Sequence, residues 1–132
     1  MTKITCTYLG EGQTELLHGP SGQTILTDLP PDNGGLGRRI SPTDLLAGAL
    51  ASCIITIIAK MAERNGEDLK GMRIETDKIM ASSPRRVAEF VLDITFPPHF
   101  TQAQKDRYAA AVNACPVHRS LHPDIKTTVH IH

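Results

Sequence analysis

The stretch "SPTDLLAGALASCIITIIAKMAE", residues 41–63, decides how the rest of the chain must fold. Ser41 followed by Pro42 marks a helix start: a serine oxygen accepts an orphan amide hydrogen of the first turn, and proline suits that turn because its missing N–H is not needed there. Leu46, Leu50, Cys53, Ile57 and Met61 then recur at helical spacing. Leu45, Ala49, Ile54 and Ile58 widen the stripe until only Lys60, Glu63 and Arg64 are clearly polar. The pattern predicts a helix over 42–65, stopping at Asn65–Gly66. Such a helix needs cover on most sides, from a sheet or from another subunit. The apolar run from Leu45 to Ala59 is shorter than the ~20 residues of a membrane span and carries Gly48, Ser52 and Thr56, so a buried helix is expected and no membrane partner.

Upstream, Ile4–Tyr8, Thr14–Leu17 and Gln23–Leu26 read as strands separated by "GEG" and "GPSG", a β-meander within 1–30. The segment "DLPPDNGGLGRRISP" crowds three prolines with Gly34, Gly35 and Gly37, which predicts an exposed loop. Downstream, 71–132 reads as a hairpin, a second helix and a final strand. The hairpin strands are Met72–Met80 and Val87–Phe96, joined by "ASSPRR", with Arg85 and Arg86 solvating the tip. Ala88, Phe90, Leu92, Ile94 and Phe96 alternate with Val87, Glu89, Val91, Asp93 and Thr95, so at least one face is buried. Thr101 with Gln104 three residues on has the form of a capping box. Pro116 disfavours helical geometry at Cys115, so that residue is expected at a kink or junction. Ile125–Ile131 closes the chain as a strand, giving an α+β reading of one domain over 1–132.

Length and composition fit this reading. A chain of 132 residues can bury one core without staples. Fourteen basic and fourteen acidic side chains create no net field to attract nucleic acid or anionic lipid, so neither is expected as a partner. The N-terminus "MTKITCTYLG" shows no secretory pattern, which places the chain in the cytoplasm. There, three cysteines, an odd number, argue against a structural disulfide framework, and any bridge would be transient.

The cysteines raise the question of chemistry. A free thiol with pKa near 8.5 is only a few per cent thiolate at pH 7, and making it reactive requires about 2 kcal/mol. One guanidinium at ~4 Å, in an effective dielectric of ~20, contributes about 4 kcal/mol. Arg38, Arg39 and Arg119 are the candidates near the two cysteine motifs. On the residues alone, a cysteine on an apolar helix reads as a small core residue. Cys6, among β-formers, reads as a packed thiol.

The residues "SPTDLLAGALASC" followed by "CPVHRSL", with strands before the long helix, resemble the osmotically inducible protein C and organic hydroperoxide resistance (OsmC/Ohr) family. The resemblance implies antiparallel sheets around a long central helix in an intertwined homodimer. It implies that Cys53 is the peroxidatic thiol, attacking an organic hydroperoxide and becoming a sulfenic acid, and that Cys115 is the resolving thiol that condenses with it. No metal or organic cofactor is implied; turnover needs an external dithiol or thioredoxin-like reductant. The chain departs from the family pattern in carrying Thr43 where the peroxidases usually have glutamate, and in having no arginine before Arg38. Asp44, nine residues before Cys53, lies about 180° away around the helix and does not substitute for that glutamate. The alternative is a catalytically weak redox-sensing or small-molecule-binding module on the same fold.

Other signals point to bland roles. Cys115, His118 and His122 have a Cys-x2-His-x3-His spacing compatible with zinc donors, but a fourth ligand is missing nearby and Pro116 disturbs the face. His130 and His132 alternate on the last strand and read as solvated. "GGLGRR" lacks the strand-then-helix frame of a phosphate loop.

Overall fold

All three N-terminal strands form, as β1 (Ile4–Gly10), β2 (Gln13–His18) and β3 (Thr24–Asp28), in a computed structural model that describes residues 1–132. They make an antiparallel meander in the order β1-β2-β3, with Cys6 opposite Leu16 and Leu16 opposite Ile25. Cys6 is exposed on the edge strand, so its expected packing is not found. This meander belongs to the first of two compact units, Met1–Leu45 and Leu46–His132.

The proline- and glycine-rich loop is exposed yet closed on itself. A 3₁₀ turn, Pro31–Asn33, ends at Gly34, whose φ of 79° suits glycine. Buried Asp28 holds the loop at its base: its carboxylate accepts from the Leu29 amide at 2.9 Å, the Arg38 amide at 3.0 Å and Arg38 Nε at 2.7 Å. The Arg38 guanidinium beside it lowers the Asp28 pKa to about 2, against the opposing effect of burial.

Helix α1 spans Pro42–Arg64. Its start is a reciprocal cap, Ser41 Oγ accepting the Asp44 amide at 3.1 Å while Asp44 Oδ2 accepts the Ser41 amide at 2.9 Å. At 23 residues it is long and apolar enough to cross a membrane by composition, so length does not decide its fate. What decides it is packing: Leu50, Ile54, Ile58 and Ala62 are fully buried in the protein core. The buried face is Ala47, Leu50, Ile54, Ile58 and Ala62, which rotates the stripe away from the expected centre and leaves Cys53, Ile57 and Met61 half-buried on its flank. Gly66, with φ of 69°, ends the helix: its amide reaches the Glu63 carbonyl at 3.0 Å and that of Glu67 reaches Ala62 at 2.9 Å.

A second sheet, in the order β4-β5-β6, covers that face with β4 (Arg73–Ser82), β5 (Arg85–Thr95) and β6 (Lys126–Ile131). Strands β4 and β5 are the predicted hairpin. Where Ile79 faces Glu89 but Met80 faces Val87, Ala88 is left unpaired, and this bulge turns Val87 to the buried side along with Phe90, Leu92 and Ile94. Strand β6 pairs with β5 in parallel, Phe90 opposite Thr127 and Asp93 opposite His130. The expectation of purely antiparallel sheets is therefore corrected. A parallel neighbour requires a crossover, and the chain supplies one in α2 (Gln102–Ala109), a 3₁₀ turn (Ala110–Ala114) and α3 (Pro116–Ser120). The predicted capping box is present, Thr101 Oγ1 accepting the Gln104 amide at 3.3 Å and Gln104 Oε1 the Thr101 amide at 2.7 Å.

Candidate functional site

Two segments with different local rules deliver the paired thiols. Cys53 sits mid-way along α1, on the flank of its buried face. Cys115 falls where Pro116 forbids continued helix, at φ −64° and ψ 123°, and there it caps the next helix: its Sγ accepts the His118 amide at 3.5 Å. Cys115 is fully buried and Cys53 half-buried. Burial raises the Cys115 pKa, and the neighbouring Cys53 side chain raises it further, through direct interaction and through charge, while the His118 amide opposes both. Cys115 thus stays a protonated thiol at neutral pH beside a more accessible partner.

An apolar groove of about 330 Å³ is lined by Leu46, Ala49, Pro116, Val117, Ser120 and Leu121, residues of the two segments that carry the thiols. Ala49 is one turn before Cys53 on α1, and Pro116 follows Cys115 in the chain. Leu50, three residues before Cys53, and Ile54, immediately after it, are fully buried in the core.

The candidate arginines are each accounted for. Arg38 is tied within the N-terminal unit, by Asp28 and by the Glu11 carbonyl at 3.0 Å and carboxylate at 3.6 Å. Arg39 is exposed. Arg119 lies on α3 with Nε donating to the Asn113 carbonyl at 3.1 Å. Asp44 serves as the α1 cap.

The histidine and cysteine spacing does not gather ligands. His118 meets Cys115 through its backbone, His122 Nδ1 accepts the Asp124 amide at 3.2 Å, and no three His, Cys, Asp or Glu side chains converge to hold a metal ion. His130 and His132 both meet Asp93 Oδ1, at 3.3 and 3.0 Å, because the parallel register sets Asp93 opposite His130.

One cluster was missed by the sequence reading. Glu67, just past the end of α1, accepts from Gln104 Nε2 at 2.8 Å, Arg107 at 2.6 Å and the Tyr108 hydroxyl, which lowers its pKa. The available signal was the spacing 104, 107 and 108, which shares one helical face.

A two-sheet α+β fold with a buried helix carrying one thiol and a proline-marked junction carrying another defines a class. Residues 34–130 match the model of the OsmC-like protein family, and the chain belongs to that family. Among solved structures it is 42% identical to a Psychrobacter arcticus 273-4 protein provisionally described as an osmotic stress induced and detoxification response protein, with a TM-score of 0.95 over 100% of this chain and 96% of that one. The organic hydroperoxide resistance protein OhrB of Bacillus subtilis shares the fold at 12% identity, with a TM-score of 0.71 over 100% of this chain and 98% of that one. A curated relative, the uncharacterized protein YmaD of Bacillus subtilis, is 33% identical over 61 residues, which is 46% of this chain and spans only 41% of that relative.

Proposed function

We propose that the protein reduces organic hydroperoxides with Cys53 as peroxidatic and Cys115 as resolving thiol. The observation that supports this reading is a pair of neighbouring thiols of unequal burial, Cys115 enclosed and Cys53 more accessible. The Cys53 thiolate attacks the O–O bond of ROOH; the alkoxide leaves and is protonated to ROH, and the sulfur becomes a sulfenic acid. Cys115 sulfur then displaces hydroxide, which leaves as water with the Cys115 proton, forming the disulfide. An external dithiol or thioredoxin-like protein restores both thiols by exchange of two electrons. Metal and organic cofactor have no part in this scheme. The apolar groove favours hydrophobic peroxides. Exposed Ile4, Tyr8, Leu9, Ile25 and Leu36, all in the N-terminal unit, support pairing of two copies. The setting of this chemistry is the cytoplasm.

A second reading, a weakly turning-over redox-sensing or binding module, is favoured by the commitment of Arg38 to Asp28, by Thr43 in the glutamate position and by the use of Asp44 as a cap. One equivalent of cumene hydroperoxide separates the readings. The enzyme loses two hydrogens by intact mass, Cys115→Ser retains a single-oxygen adduct on Cys53, and Cys53→Ser abolishes peroxide consumption. Retention of all three thiols in wild type leaves only a small-molecule-binding module.

A further inference from the structure

Tyr108 is fully buried at the end of α2, stacked on Phe96 with ring centroids 6.4 Å apart and set edge-on to Phe100 at 6.2 Å. Its hydroxyl donates to Glu67 and accepts from Asn65 Nδ2 at 3.0 Å. Glu67 is itself fixed by the glycine cap of α1, its amide bonded to the Ala62 carbonyl at 2.9 Å. Through Gln104, which also caps α2 at Thr101, and through Arg107 and Tyr108, the one carboxylate binds α2 from its first turn to its last. From Tyr108 the backbone runs without a glycine through the 3₁₀ turn, where Ala111 and Val112 are buried, to Cys115. Glu67 therefore joins the end of the helix that carries Cys53 to the helix that leads into Cys115.

Disulfide formation requires Cα atoms within about 4.4–6.8 Å and a restricted dihedral, so a slide of ~1–2 Å between the two helices removes the geometry. We infer that Glu67 is a positioning residue, acting through Tyr108 to hold the α2 segment at the height where Cys115 meets Cys53. The inference deepens the proposed reading of the thiol pair, but its test needs no peroxide.

In a Cys6→Ser background, glutathione disulfide converts the two thiols to the Cys53–Cys115 disulfide and two glutathione molecules, and the equilibrium in glutathione buffers gives the effective concentration of Cys115 toward Cys53. Glu67→Gln and Tyr108→Phe should each lower that value at least tenfold, with the rate of Cys53 alkylation by iodoacetamide within twofold of the parent. Glu89→Gln, which removes a comparable carboxylate bonded to Thr128 at 2.6 Å and Lys126 at 3.2 Å, should leave it unchanged. Values within twofold of the parent for both test variants overturn the inference, as does an equal fall in Glu89→Gln. Loss of native far-UV circular dichroism in both test variants also overturns it, because Glu67 would then supply global stability rather than thiol placement. Absence of peroxide turnover in wild type would sink the enzyme reading and leave this result standing.

Discussion

Cys115 Sγ accepts the backbone amide of His118 at 3.5 Å, so the sulfur is held at the start of α3. Thiol modification should follow burial. At pH 8, peptide mapping after brief iodoacetamide treatment is expected to find exposed Cys6 labelled first and Cys115 at least tenfold more slowly. Equal labelling of Cys6 and Cys115 would contradict the burial.

The same sulfur carries a pH dependence. Because burial raises its folded pKa, the stability it contributes is complete below the unfolded thiol value near 8.5 and is lost as pH rises through the folded value. Urea midpoints from pH 8 to pH 10 should therefore fall more steeply for the reduced wild type than for Cys115→Ala.

Asp28 works in the opposite direction. Its folded pKa of about 2 lies below the unfolded carboxylate value near 3.9, so its contribution is present above pH ~4 and disappears as pH falls toward 2. Asp28→Asn should lower the denaturation midpoint at pH 7, and its gap from wild type should close between pH 4 and pH 2. A gap that persists at pH 2 would assign the effect to shape rather than charge.

Leu50 on α1 and Phe90 on β5 are fully buried in one core. Leu50→Ala should cost about 2–5 kcal/mol and Phe90→Ala about 3–5 kcal/mol, measured by urea unfolding. The half-buried Ile57→Ala should cost clearly less than Leu50→Ala.

At Gly35, an added Cβ would overlap the Leu29 carbonyl oxygen, and the Gly35 amide bonds to Pro30 O at 3.0 Å. Gly35→Ala should destabilise the N-terminal unit, whereas Gly48→Ala, on exposed α1 surface with open space around it, should stabilise by up to ~1 kcal/mol. Differential thermal melts of the two variants read this directly.

Local chemistry made much of the fold legible. Ser41–Pro42, Thr101 with Gln104 and Cys115–Pro116 are caps and breaks written in adjacent residues, and each appears where expected. What escaped depends on distant partners. The apolar residues of α1 nearly surround it, so periodicity centred the stripe on Cys53 and Ile57, and only the sheet selects Leu50 and Ile54 over Ile57. The parallel register of β6 and the bulge at Ala88 are properties of pairing, to which a strand pattern of period two is blind. Both cysteines of the candidate site were visible as motifs. Glu67 was not, because its partners lie roughly forty residues away on a helix whose other face looks ordinary.

Because β6 runs parallel to β5, the segment bearing Cys115 is anchored at both ends in one sheet. In an unfolded chain, joining positions 53 and 115 would close a loop of about 60 residues and cost about 4 kcal/mol of chain entropy. The folded chain already holds the two thiols as neighbours. Oxidation then adds little order to the native protein while restricting its unfolded ensemble, so the disulfide form should melt several degrees above the dithiol form, and melting temperature becomes a record of redox history.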